Sequence, residues 1–131
     1  MTQQENCGFL FYTDGLLFDE RQDFVVHIPP SIRDANTLFE AFFDKLRLLG
    51  YFGFNWNALL DCLRDLSWIE QYRVVILHRD LPNLAKEDLS HYLDVLREST
   101  KSWKPGEQHK LVVAFPKSVE ATVHNLLMDC N

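Results

Sequence analysis

The chain has 131 residues, 47% hydrophobic and 24% charged, with a formal net charge of −6 and a pI near 5.2. That length holds one domain with a substantial core and is short for two. The acidic balance speaks against binding nucleic acid by neutralising phosphates, which needs a basic footprint, and suits a basic protein partner drawn in by long-range attraction. Ten Phe, three Trp and four Tyr exceed what a small core needs, which leaves aromatics for a recognition surface. Cys7, Cys62 and Cys130 are odd in number and show no CxxC spacing, so they read as reduced thiols in a reducing compartment. No run reaches transmembrane length, and the first residues lack the basic start and apolar core of a signal peptide. The expected location is therefore the cytoplasm.

Taken in order, residues 8–18 set Asp14-Gly15 between two apolar runs and predict a tight hairpin. Residues 23–28 read as a strand, 24–28 being rich in β-branched and aromatic residues, and Pro29-Pro30 ends it because proline supplies no ladder donor. Asn36-Thr37 with Glu40 forms a capping-box pattern and predicts a helix over 38–49 with Leu38, Phe39, Ala41, Phe42, Leu46 and Leu49 on the apolar side, closed by Gly50. Phe43 lies off that stripe and either widens the buried face or serves a contact. Asn55 suits the N-cap of a further helix. On it Trp56, Leu59, Leu63 and Leu66 share one side, Asn57, Asp61, Arg64 and Asp65 the other, and Leu60 the rim.

Residues 73–77 form a nearly unbroken apolar run, as expected of a central parallel strand covered on both faces. A helix over 86–101 follows, with Leu89, Tyr92, Leu93 and Leu96 on one side, then a third strand over 110–115 and a C-terminal helix over 117–130. The order predicts one α/β domain over 1–131: a small three-stranded parallel sheet with right-handed crossovers and packed helices. The N-terminal hairpin and the C-terminal helix are additions, expected side by side.

The run Tyr51-Phe52-Gly53-x-Asn55-Trp56-Asn57-Ala58-Leu59-x-Asp61-Cys62-Leu63, followed by Trp68 and the apolar strand, resembles the barstar family of small acidic proteins that inhibit barnase-type ribonucleases. Residues 92–98 resemble that family's third long helix, and the resemblance covers about 23–115. It implies a barstar-like fold in which an aromatic-Gly loop and the following helix plug a nuclease active site while carboxylates stand in for RNA phosphates. Asp61 falls on the dominant acidic contact, Tyr51 and Gly53 on the loop, and Glu98 on a further acidic contact. Phe54 and Asn57 fall where the inhibitor that gives the family its name carries acidic residues, so the surface is less anionic and more apolar. This points to a nuclease other than barnase, with a more apolar rim.

The expected partner-binding set is Tyr51, Phe52, Gly53, Phe54, Asn55, Asn57, Leu60, Asp61 and Glu98. Of Tyr51 and Phe52, one is free to fold inward on Trp56, and the sequence does not choose between them. Glu98, toward the end of its helix where the dipole disfavours negative charge, is either incidental or answers a basic partner. An enzyme is not expected. Cys62 falls toward the packed side of its helix, where a thiol is inert, and the five histidines show no ligand spacing. No Gly-rich phosphate loop is present, so neither a metal nor a cofactor is expected. The partner is a basic ribonuclease or nuclease toxin, with no direct nucleic acid and no membrane. The competing reading is a regulatory module that uses the same surface for a protein that is not a nuclease.

Overall fold

A computed structural model describes residues 3–6, 8–13, 18–48 and 53–127. Its elements are strands β1 (Gln3–Asn6), β2 (Phe9–Tyr12) and β3 (Phe24–Ile28), helices α1 (Ala35–Lys45) and α2 (Trp56–Asp65), strand β4 (Arg73–His78), helix α3 (Lys86–Ser102) and strand β5 (Lys110–Pro116). A 3-10 turn (Lys117–Val119) leads into α4 (Glu120–Leu127).

The sheet order is β1-β2-β5-β4-β3. Strands β3, β4 and β5 pair in parallel, with Phe24 opposite Val74 and Arg73 opposite Lys110, as the sequence predicts. The expected three-stranded sheet is nevertheless too small. Strand β2 adds in parallel to the free edge of β5, Leu10 opposite Ala114, and β1 adds antiparallel outside it, giving four parallel strands of five. The predicted hairpin turn at Asp14-Gly15 lies outside the described residues, which omit 14–17. Upstream of it, residues 9–12 pair antiparallel with 3–6, and Gly8 directly precedes the second of these strands. Gly8 is required there: its φ is +83°, and a Cβ would stand 2.8 Å from the Thr100 hydroxyl of α3.

Alternation along the strands divides the core. Phe9, Phe11, Val26, Ile28, Val74, Ile76, Val113 and Phe115 point to the helices, where Leu38, Phe42, Leu59, Leu63, Leu93 and Leu96 meet them. Val75, Leu77 and Ala114 form a smaller cluster on the opposite face with Leu10, Tyr12 and Phe18 beside them. Strand β4 is thus buried on both faces from Val74 to His78. The C-terminal helix packs beside the hairpin, the Phe11 ring lying 6.2 Å from His124.

Two helix boundaries differ from expectation. Asp34, not Asn36, caps α1, its Oδ1 accepting from the Thr37 N–H at 2.7 Å. The cap oxygen also holds the Asp34 carboxyl below the usual carboxylate range, because the backbone donor favours the ionised form. The helix closes before Gly50, through Arg47 at φ +57°: Arg47 N–H bonds to Asp44 O at 3.2 Å and Leu48 N–H to Phe43 O at 3.0 Å. Leu49 and Gly50 lie outside the described residues. The Trp68 indole N–H donates to the Leu46 carbonyl at 2.8 Å, tying the link after α2 to the end of α1.

Candidate partner-binding surface

Asn55 organises the start of α2 twice over. Its Oδ1 accepts from Ala58 N–H at 2.8 Å, capping the helix as predicted, while its Nδ2 donates to the Gly53 carbonyl at 2.9 Å. The loop carbonyl and the first helical turn are therefore held by one side chain. Between them Phe54 adopts φ +45°, uncommon for a residue with a Cβ, and its ring packs 6.0 Å from Phe43. Phe54 is accordingly half-buried, and Phe43, also half-buried, is spent on holding it. Tyr51 and Phe52 lie outside the described residues.

Helices α2 and α3 run in the same direction. Trp56 at the start of α2 lies 6.1 Å from His91 and 6.3 Å from Tyr92. At the other end, Trp103 just past α3 donates its indole N–H to the Leu63 carbonyl at 2.9 Å. Progress along one helix thus matches progress along the other. The half-buried Trp56 packs edge-on to Phe39 at 4.7 Å, so it belongs to the packing side as its position on the helix predicts.

The exposed rows of the two helices follow from this geometry. Asn57 and Asp61, one turn apart, are exposed on α2; Asp94 and Glu98, one turn apart, are exposed on α3. A cleft of about 440 Å³ opens between them, lined by Asn55, Trp56, Asn57, His91, Asp94 and Val95. Asp61 and Glu98 continue these two rows, one turn further along each helix. Asp61 has no hydrogen bond or ion pair among the described residues. Glu98 stands 3.8 Å from Lys101, and Asp94 bonds to Arg97 at 2.8 Å. Leu60 is half-buried at the rim, and Asp65, Glu70 and Arg64 are exposed.

Asp94, His91 and Val95 were not among the predicted site residues. Spacing alone carried the signal, since Asp94 precedes Glu98 by four positions, but nothing local shows which face of α3 meets α2. The thiol reading also meets the geometry here. Cys62 is half-buried, and burial, followed by the carboxylates of Asp61 and Asp65, pushes its thiol up, so little thiolate forms. His78 is fully buried and has both ring nitrogens bonded. Among the described residues no group of three or more His, Cys, Asp or Glu is arranged to hold a metal ion, and no helix is long and apolar enough to cross a membrane.

The architecture defines a class: a small single-sheet α/β domain that presents a capped loop and two parallel helices on one face. Residues 24–115 match the family model described as Barstar (barnase inhibitor), and the chain belongs to the barstar family. Strands β1 and β2 and helix α4 lie outside the matched segment. No curated protein matches the chain. Membership suggests a barnase-type inhibitory role with a protein partner.

Proposed function

We propose that the protein is an immunity or antitoxin-type inhibitor of the bacterial cytoplasm that binds a basic ribonuclease or related nuclease one to one and covers its active site. The observation that carries the reading is Asp61 itself. It is exposed on a helix capped by Asn55, in a family of barnase inhibitors, with no hydrogen bond or ion pair among the described residues. A carboxylate held on a rigid helix accepts several charge-assisted hydrogen bonds from Arg and Lys that otherwise grip a phosphate. Because it has no internal partner to give up, its desolvation is offset directly by those contacts.

Around it, Tyr51, Phe52, Gly53 and Phe54 supply shape and apolar contact, Leu60 a rim contact, and Asn55 and Asn57 neutral hydrogen-bonding groups. Glu98 adds a second carboxylate, weakened by its neighbour Lys101. With Phe54 and Asn57 uncharged, the surface suits a nuclease with a more apolar rim than barnase. Its specificity then rests on apolar fit as well as charge.

The test is a pull-down from the source organism's total protein with wild type and Asp61→Arg, followed by RNA-cleavage assays on the captured proteins. Wild type alone is expected to recover a basic nuclease and block its cleavage at a one-to-one ratio, and the variant's melting temperature should be nearly unchanged. Capture of the same partner by both forms removes Asp61 from the site. Capture of a partner without nuclease activity moves the assignment to a regulatory binding module.

A further inference from the structure

Two rings of α1, Phe39 and Phe43, lie one turn apart and hold the start of α2 on either side of its cap. Phe39 meets Trp56 edge-on at 4.7 Å, and Phe43 meets Phe54 at 6.0 Å. Between the two held residues stands Asn55, which bonds back to the Gly53 carbonyl and forward to the Ala58 N–H. The junction of loop and helix is therefore fastened at residues 54, 55 and 56 in succession.

Phe54 is the strained member of the three. Its φ of +45° lies in the left-handed region, where a Cβ crowds the following carbonyl and glycine or asparagine is the usual occupant. Arg47 and Leu66, the other non-glycine residues at positive φ among the described residues, stand just past the ends of α1 and α2, where a left-handed residue is ordinary. Phe54 stands ahead of a helix instead. Such a conformation persists only where the surroundings over-determine it, and it concentrates at binding and catalytic sites. What phenylalanine brings to this position and glycine does not is a ring, and that ring is half-buried with Phe43 beside it. The backbone turn at residue 54 also sets the direction in which Gly53 leaves the helix.

We propose that Phe43 is a positioning residue for the partner-binding surface: through the Phe54 ring it holds residue 54 left-handed, so that Gly53 and the first turn of α2 stand in their binding geometry before a partner arrives. The inference rests on the reading of this surface as the partner site, and it assigns Phe43 no contact with the partner. A loop ordered in advance loses less conformational freedom on docking, which raises affinity without adding a contact.

The experiment is a double-mutant cycle on the full chain with Phe43→Ala, Phe54→Asn and the two combined. Asparagine adopts the left-handed region without a ring to hold it there. Scalar couplings across residue 54 should show its positive φ lost in Phe43→Ala but kept in Phe54→Asn and in the double variant. Affinity for the partner that wild type captures, nuclease or not, should fall at least tenfold in Phe43→Ala. The same substitution in the Phe54→Asn background should change it by less than about twofold. Thermal melts establish that each variant is folded at the assay temperature; Phe43→Leu, which keeps apolar bulk without a ring, takes the place of Phe43→Ala if that variant is not, with the same pattern expected. The proposal is overturned if φ at residue 54 is unchanged in Phe43→Ala, or if that variant binds as wild type does. An equal loss in both backgrounds also overturns it, since Phe43 then touches the partner or only supports the fold. If wild type captures no partner, the reading of the surface fails first and this role with it, while the couplings still show whether Phe43 sets the loop.

Discussion

The fully buried His78 makes a quantitative demand on the fold. Its Nδ1 donates to the Ala114 carbonyl at 2.9 Å, its Nε2 accepts from the Tyr92 hydroxyl at 2.7 Å, and its ring stacks on Phe115 at 4.0 Å. The Tyr12 hydroxyl donates to its backbone carbonyl, so β2, β4, β5 and α3 converge on one residue. Burial lowers the imidazole pKa from 6.5 to about 4, the Ala114 bond opposing the shift only in part. The same enclosure raises the Tyr92 hydroxyl well above its ordinary range.

In the folded chain His78 stays neutral where the unfolded chain protonates, so stability is complete above pH 6.5 and falls as pH drops toward 4. At about 1.4 kcal/mol per pH unit, His78 alone removes about 3 kcal/mol over that window. His78→Gln keeps a donor for Ala114 and an acceptor for Tyr92 but cannot titrate. It loses the stack on Phe115 and should be about 2 kcal/mol less stable at neutral pH. Urea denaturation of both proteins from neutral pH to pH 4 is the assay. Other titrating groups are common to the two, so the difference isolates His78, and the stability curves should cross near about pH 5. Parallel curves would refute the assignment of acid sensitivity to this residue.

Asn55→Ala removes the α2 cap and the hold on Gly53, and urea midpoints should show a loss of about 1 kcal/mol. The Arg73 guanidinium bonds to the 8%-exposed Asp23 at 2.6 Å and holds its carboxyl below the usual range. That stability is present above the ordinary pKa of 3.8 and lost as pH falls below it. Arg73→Ala should cost about 2 kcal/mol at neutral pH and lose less than wild type on further acidification, both read from denaturation curves. Arg47→Gly places glycine at the left-handed closure of α1, relieving about 1 kcal/mol. Loss of the guanidinium over Phe24 at 5.4 Å takes back about half, so a small rise in melting temperature is expected.

Most of the candidate surface was legible because it is local. Asn55 three residues before Ala58, and Leu59, Leu63 and Leu66 at the helical period, fix the start of α2 and its buried side, which leaves Asn57 and Asp61 outward whatever lies beneath. The apolar run of β4 likewise declares a strand covered on both faces. The cap of α1, expected at Asn36, was not legible in this way. The choice fell to Asp34 once Leu38, Phe39 and Phe42 docked on the core and set the phase of α1.

Pairings distant in sequence were decided only by the tertiary structure. Residues 9–12 form a strand because β5, more than a hundred residues later, offers an open parallel edge. Asp94 lines a cleft with Asn57 because α3 lies parallel to α2, an arrangement set by Trp56, Trp103 and the core between them. Side-chain period and capping act within one or two turns and are written into the sequence. Strand partners, helix direction and the enclosure of His78 depend on which surfaces exclude water together, which exists only once the chain has folded.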